Sequence, residues 1–515
     1  MPRFPLPRLA LLACTLFSGQ LQGAPAAVRP PNVLLIVAEG MGFSDAGCYG
    51  GEIATPCLDW LSGNGVRFSQ AYNTAGGADT QLALLSGYYA RHLKRESLPG
   101  AAPIAGRSRP VWGQFLPELL KPAGYRSYHS GKWLLAGTPR EAGFERSYTL
   151  PEDTHQFGPL AHLLDGQPLP APQDGYYSTS AITEHAIEFL KQHAELQPKA
   201  PFFACVTFSA PHFPLQAPLE DVARYRTRFH GGTDNLRQDR LQRLWGFGML
   251  SNAELSPPTL PARRWTELSR IEQEAFETRM EIHAAMVERM DREIGRLLEQ
   301  LQAGKVWENT LVLFLSSHGA SAERVARGGA DPKAPPYLCL EAQGASLANT
   351  PLRYSGRYVH EGGISTPLIV HWPGGMKAKG ELREQAVHVV DVAPTLLRMA
   401  GIVWPKTIGN KPVPDQDGVD LSGVLRENKG VPARGLWWAQ DGNRAFRLGD
   451  WKWVALKGRP AELYYLRADR AEMLNLAEAN HERLQEMEVQ WKRKLEHFER
   501  DLAVDMPLPA LSVNP

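Results

Sequence analysis

Four short apolar runs, Val33 to Ala38, Phe202 to Phe208, Thr310 to Ser316 and Pro367 to Trp372, set the tightest limit on what this chain can fold into. A strand with one face in water alternates polar and apolar residues. An unbroken apolar run is covered on both faces, as in the parallel sheets that helices sandwich. Helical patterns lie between the runs, at Trp112 to Leu120, Ser180 to His193 and Arg270 to Leu301. In the longest, Met286, Met290, Ile294, Leu297, Leu298 and Leu301 recur at helical spacing. Strands alternating with helices predict an α/β fold with a doubly wound, mostly parallel sheet flanked by helices. Such sheets place their sites beyond the carboxyl ends of the strands. Glu39-Gly40 and Ser317-His318 follow two of the runs directly.

The pattern changes late. Gly435 to Trp438, Ala445 to Leu448, Trp451 to Leu456 and Glu462 to Leu466 read as short antiparallel strands, and Glu482 to Phe498 reads as an amphipathic closing helix. The expected organisation is a signal peptide over 1–26, an α/β domain over 27–425 and a small sheet-plus-helix subdomain over 426–515. The signal is read from Arg3 and Arg8, the apolar stretch Leu9 to Phe17, and the small residues Ala24-Pro25-Ala26. It places the protein outside the cytoplasm, in a bacterial periplasm or beyond it. Leu11-Leu12-Ala13-Cys14 also has the look of a lipobox, which would put a lipid on Cys14. No later stretch reaches the roughly 20 apolar residues of a membrane span. With a net charge of +1 and 22% charged residues, the chain has no field to draw nucleic acid or an anionic membrane. Cys48, Cys57, Cys205 and Cys339 match no zinc spacing and read as buried thiols, with Cys48 and Cys57 the pair nearest in sequence.

Many short segments, in order from about residue 30 to 500, resemble the sulfatase family. Pro31-Asn32-Val33-Leu34-Leu35-Ile36, Thr55-Pro56-Cys57-Leu58-Asp59, Gly131-Lys132-Trp133, Ala210-Pro211-His212-Phe213-Pro214, Glu361-Gly362-Gly363 and Gly449-Asp450-Trp451-Lys452 are among them. Asp234-Asn235-Leu236-Arg237 and Met280-Glu281-Ile282-His283 are similar to the bacterial arylsulfatase branch. The wider alkaline phosphatase superfamily includes this family. Ala71 to Gly87 resembles the segment in which a cysteine or serine becomes the formylglycine nucleophile.

The resemblance implies a calcium-assisted sulfate ester hydrolase, and the residues depart from that chemistry. The nucleophile position is Gly77, which has no side-chain atom to oxidise or attack with. Gln81 stands in place of an arginine, and Leu134 in place of a histidine. The calcium positions are Glu39, Gly40, Ser317 and His318, a set with one carboxylate where hard cations want several oxygens. Lys132 and His212 match the family. Arg357 neighbours Gly356, where a lysine is expected. The expected protein is therefore a sulfatase-like pseudoenzyme with no cofactor, holding a sulfated carbohydrate or aryl sulfate through Lys132, His212 and Arg357. An expected pairing of Glu39 with His318 would favour the protonated imidazole. The competing expectation is a working sulfate or phosphate ester hydrolase that uses zinc and a different nucleophile. Its candidate parts are Thr80, Asp79, Glu39, His318, His212 and His360.

Overall fold

The computed structural model describes residues 29–94, 109–151, 155–158, 161–172, 174–250, 263–323 and 338–505. The signal peptide and Cys14 lie outside these residues. The strands of the main sheet are, in chain order, β1 (Asn32–Ala38), β2 (Val66–Tyr72), β3 (Arg126–Lys132), β4 (Arg146–Leu150), β5 (Leu163–Leu164), β6 (Gln167–Pro168), β7 (Phe202–Thr207), β8 (Thr310–Ser316), β9 (Ser365–His371), β10 (Glu381–Arg383) and β11 (Val387–His388). They run in the order β10-β2-β9-β8-β1-β7-β3-β4-β5-β6, with β11 beside β2. The central five, from β8 to β4, are parallel, and β9 is antiparallel to both of its neighbours.

The apolar runs are the middle of this sheet because both of their faces are covered. Every residue of β1, β7, β8 and β9 is buried. Along β1, Val33, Leu35 and Val37 enter one core while Leu34, Ile36 and Ala38 enter the other. Side chains that alternate across a strand thus feed two helix-covered layers. Burying one Leu or Ile fully stabilises by about 1.5–3 kcal/mol, so these strands anchor the fold. The helix Arg270–Ala303 lines the second layer with Met280, Met286, Met290, Ile294, Leu297 and Leu301. Ser269 caps it: its hydroxyl accepts from the Glu272 N–H, and Glu272 in turn accepts from the Ser269 N–H at 2.8 Å.

One helix is shorter than its sequence pattern suggests. The segment from Trp112 forms turns, and only Leu116–Leu120 is helical. Pro117 in the first turn explains the late start, since its ring is tolerated there and not deeper in a helix.

The late strands form a separate antiparallel sheet of β14 (Gly435–Gln440), β15 (Asn443–Leu448), β16 (Trp451–Ala455) and β17 (Glu462–Tyr465), preceded by a hairpin of β12 (Thr407–Ile408) and β13 (Lys411–Pro412). The closing helix His481–Asp505 packs Met487, Trp491, Phe498 and Leu502 against the same apolar layer as Trp437 and Trp453. A buried charge cluster ties this sheet to the main one. The Lys452 Nζ lies 2.9 Å from Glu361 Oε1 and 2.8 Å from Glu472 Oε1, with all three side chains fully buried. Cys48, Cys57 and Cys205 are free thiols, Cys57 partly exposed, and Cys339 is buried.

Candidate functional site

Sheet register brings the site residues to one edge. Ala38 pairs with Ser316 across β1 and β8, so Glu39 and Ser317 leave the sheet side by side. Thr207 pairs with both Val37 and Gly131, which sets Lys132 and the loop holding His212 next to them. Beyond these ends lies a cavity of about 390 Å³. Its walls include Glu39, Gly77, Asp79, Lys132, Leu134, His155, His212, His318, Arg357 and Gln440.

The floor of this cavity is a close group of Glu39, Lys132, His212 and His318. The Lys132 Nζ lies 2.8 Å from Glu39 Oε1, with hydrogen-bond geometry, and 2.7 Å from Oε2. Oε2 itself accepts no hydrogen bond among the described residues, and the residue is 7% exposed. Burial pushes the Glu39 carboxyl up, but Lys132, His212 and His318 outweigh it and hold it below the usual range. The partner of Glu39 is thus Lys132, not His318 as the sequence suggested.

The two imidazoles are held alike. His212 Nδ1 lies 3.2 Å from the Phe213 carbonyl, and His318 Nδ1 lies 2.8 Å from that of Gly319. A carbonyl only accepts, so each Nδ1 carries the hydrogen and each Nε2 keeps a free lone pair. The rings sit edge to face, 5.4 Å apart. Burial lowers both: His212 falls to about 3, and His318 also moves down. The expected protonated His318 is therefore replaced by a neutral one, because desolvation outweighs the nearby carboxylate.

Gly40 makes this packing fit. It has φ +66°, and a Cβ there would lie 2.9 Å from His318 Cε1 and 3.0 Å from His212 Cδ2. Any larger residue would collide with both rings.

The remaining positions divide sharply. Gly77 opens the helix Gly77–Ser86, and a Cβ on it would point at the floor, 3.6 Å from Glu39 Oε1. That same Cβ would meet Leu134 Cδ1 at 2.9 Å, so a leucine methyl occupies the space in front of the nucleophile position. Gln81 does not face the cavity. Its Nε2 donates to the Lys132 carbonyl at 3.0 Å, and its Oε1 accepts from the Leu134 N–H at 2.8 Å, clasping the backbone on both sides of Trp133. Ser317 lines an adjoining recess with Leu35, Val37, Leu84 and Cys205, and its buried hydroxyl has no hydrogen-bond partner among the described residues. Arg357 stands at the rim, 58% exposed, with its Nε 2.8 Å from Asp441 Oδ2 and 3.2 Å from Glu323 Oε1. Asp79 lines the cavity and pairs with Lys94.

Two other residues suggested by the sequence stand outside the site. Thr80 is fully buried and donates its hydroxyl to the Ser317 carbonyl at 2.7 Å, so it is not presented as a nucleophile. His360 is buried on the side of the small sheet, 2.7 Å from Glu462 Oε2. Sequence reasoning missed His155 and Gln440 in the wall. No motif marks either, and Gln440 arrives from the end of β14, far along the chain.

A family model described as Sulfatase matches residues 31–402. An uncharacterized sulfatase of Schizosaccharomyces pombe is 30% identical, over 90% of this chain and 93% of its own length. An arylsulfatase of Klebsiella aerogenes is 29% identical over 78% of this chain and 94% of its own. Among solved structures, Ps i-CgsB in complex with k-i-k-neocarrahexaose superposes with a TM-score of 0.67 at 22% identity, covering 93% of this chain and 98% of that one. A protein in complex with its substrate D-glucosamine-2-N,6-O-disulfate gives 0.66 at 20% identity, covering 92% and 99%.

Proposed function

This chain belongs to the sulfatase family, and we propose that it is a non-hydrolysing member whose cavity holds a sulfated carbohydrate. One observation carries the first half. The helix start that should present a nucleophile is Gly77, and the Leu134 methyl stands in the space its side chain would enter. Thr80, the other nucleophile the sequence suggested, is engaged with the backbone.

The ligand half is supported by the two solved relatives, whose bound molecules are a neocarrahexaose and a glucosamine disulfate. Lys132 and Arg357 are the cationic contacts the cavity offers, and each is shared with carboxylates. Charges already paired attract an added anion weakly, so affinity on the order of millimolar is expected. The N-terminal signal is consistent with work outside the cytoplasm, where sulfated polysaccharides are met.

An arylsulfatase assay tests the first half. The protein and its Gly77→Cys variant, the latter produced with the formylglycine-generating enzyme, should both release no sulfate above the uncatalysed rate. Turnover by either overturns it. Calorimetry against sulfated sugars tests the ligand half, which fails if no binding is detected at millimolar concentration.

A further inference from the structure

The family's metal is calcium, and the residues at its positions do not fit that ion. Gly40 supplies no side chain, Ser317 is not among the groups that converge, and two of the three that do are imidazoles. Hard cations bind six to eight oxygens, and nitrogen suits softer metals.

We propose that the floor of the cavity is instead a zinc site, with Glu39, His212 and His318 as its ligands and a fourth position open to the cavity. This goes beyond the proposed sugar ligand and stands on its own atoms. One ligand atom from each of the three residues falls within 4.8 Å of the other two. Ligands on a tetrahedral zinc at about 2.0–2.1 Å are about 3.3 Å apart, so the three atoms would draw together on binding. Two histidines and one glutamate are a donor set that catalytic and open zinc sites use.

The tuning around the ligands points the same way. Metal-bound histidines donate their second ring N–H to a carbonyl or carboxylate, which fixes the tautomer. His212 and His318 both do so through Nδ1, leaving each Nε2 available to a metal. Lys132 Nζ contacts both oxygens of the buried Glu39 carboxylate, at 2.8 Å from Oε1 and 2.7 Å from Oε2, and so orients it. Gly40 completes the case, because its missing Cβ is what lets the two rings converge.

The test uses the full chain, stripped of metal, with no sulfated sugar present, so its outcome is separate from that of the ligand proposal. Calorimetric titration with zinc alone and with calcium alone should give one zinc per chain, bound at least about 100-fold more tightly than calcium. His318→Ala and His212→Gln should each weaken zinc at least about 100-fold. Calcium bound as tightly as zinc, or zinc affinity unchanged in either variant, overturns the proposal. Cobalt substitution in the unmutated protein gives a reading independent of variant folding. Strong visible bands of a four-coordinate ion support the site, and the weak spectrum of a six-coordinate ion refutes it.

Discussion

At the scale of the residue, the site is shaped as much by missing side chains as by present ones. Gly40 and Gly77 face the same floor, yet they do opposite things: one admits two imidazoles, the other leaves its space to Leu134. The ion pair of Glu39 and Lys132 is the energetic centre of the floor. Glu39→Gln leaves a buried ammonium without its counter-charge and should cost about 3 kcal/mol, read as a lower urea midpoint. The pH dependence has a definite sign. The folded Glu39 carboxyl titrates below the ordinary 4.5, so the unfolded chain takes the proton first. Its stabilisation is complete above pH 4.5 and is lost as the pH falls through the lower folded value. In the glutamine variant this part of the acid transition should be absent from urea melts taken between pH 5 and 3. Gly77, Gln81 and the residues expected at the calcium positions could be named from the sequence, because each lies within a recognisable segment. It could not reveal that Gln81 clasps the backbone or that Thr80 caps the Ser317 carbonyl, since those contacts join residues more than fifty positions apart.

At the scale of the element, strand register does most of the positioning. The apolar runs were readable as fully covered strands because each must satisfy two layers at once, and the carboxyl-end rule then pointed to the right edge of the sheet. What the runs do not encode is their order, which here interleaves β9 between β2 and β8 in the antiparallel sense. The junction with the small sheet was equally hidden. Lys452 serves two buried carboxylates, and although burial pushes Glu361 up, Lys452 and then Arg470 and Arg447 hold it at about 2. Lys452→Met removes the one cation that bridges Glu361 and Glu472 among the described residues, leaving Glu361 to Arg470 and Glu472 without its ammonium partner. A loss of about 4 kcal/mol is expected, with β16 and its neighbours showing faster amide exchange before the main sheet does. If β1 and β16 exchange at the same accelerated rate, the junction is not the weak point that this contact set implies.

At the scale of the whole molecule, buried neutral histidines govern the response to acid. His129 and His388 are interior, and burial holds each at about 3. The unfolded chain protonates them near 6.5, so it binds more protons than the native state between those values and stability falls with pH. Each contributes up to about 1.4 kcal/mol per pH unit across that window. His92 works the other way: Asp417 and Asp501 outweigh its burial and raise it, so its share is present at low pH and lost as the pH rises. Burial raises the Asp291 carboxyl to about 6, which opposes the trend, but the histidines outnumber it, so the net expectation is a urea midpoint that drops between pH 7 and 5 and a flatter profile in His129→Gln. A midpoint unchanged over that interval would contradict the burial of these rings. The filled space in front of Gly77 also bears on how such a protein could change. Restoring a reactive group by one mutation places it against Leu134, and trimming Leu134 alone opens a void beside a glycine with nothing to fill it. If the chain is the non-hydrolysing member proposed above, a change at Gly77 must displace the Leu134 methyl, so the two positions are expected to vary together.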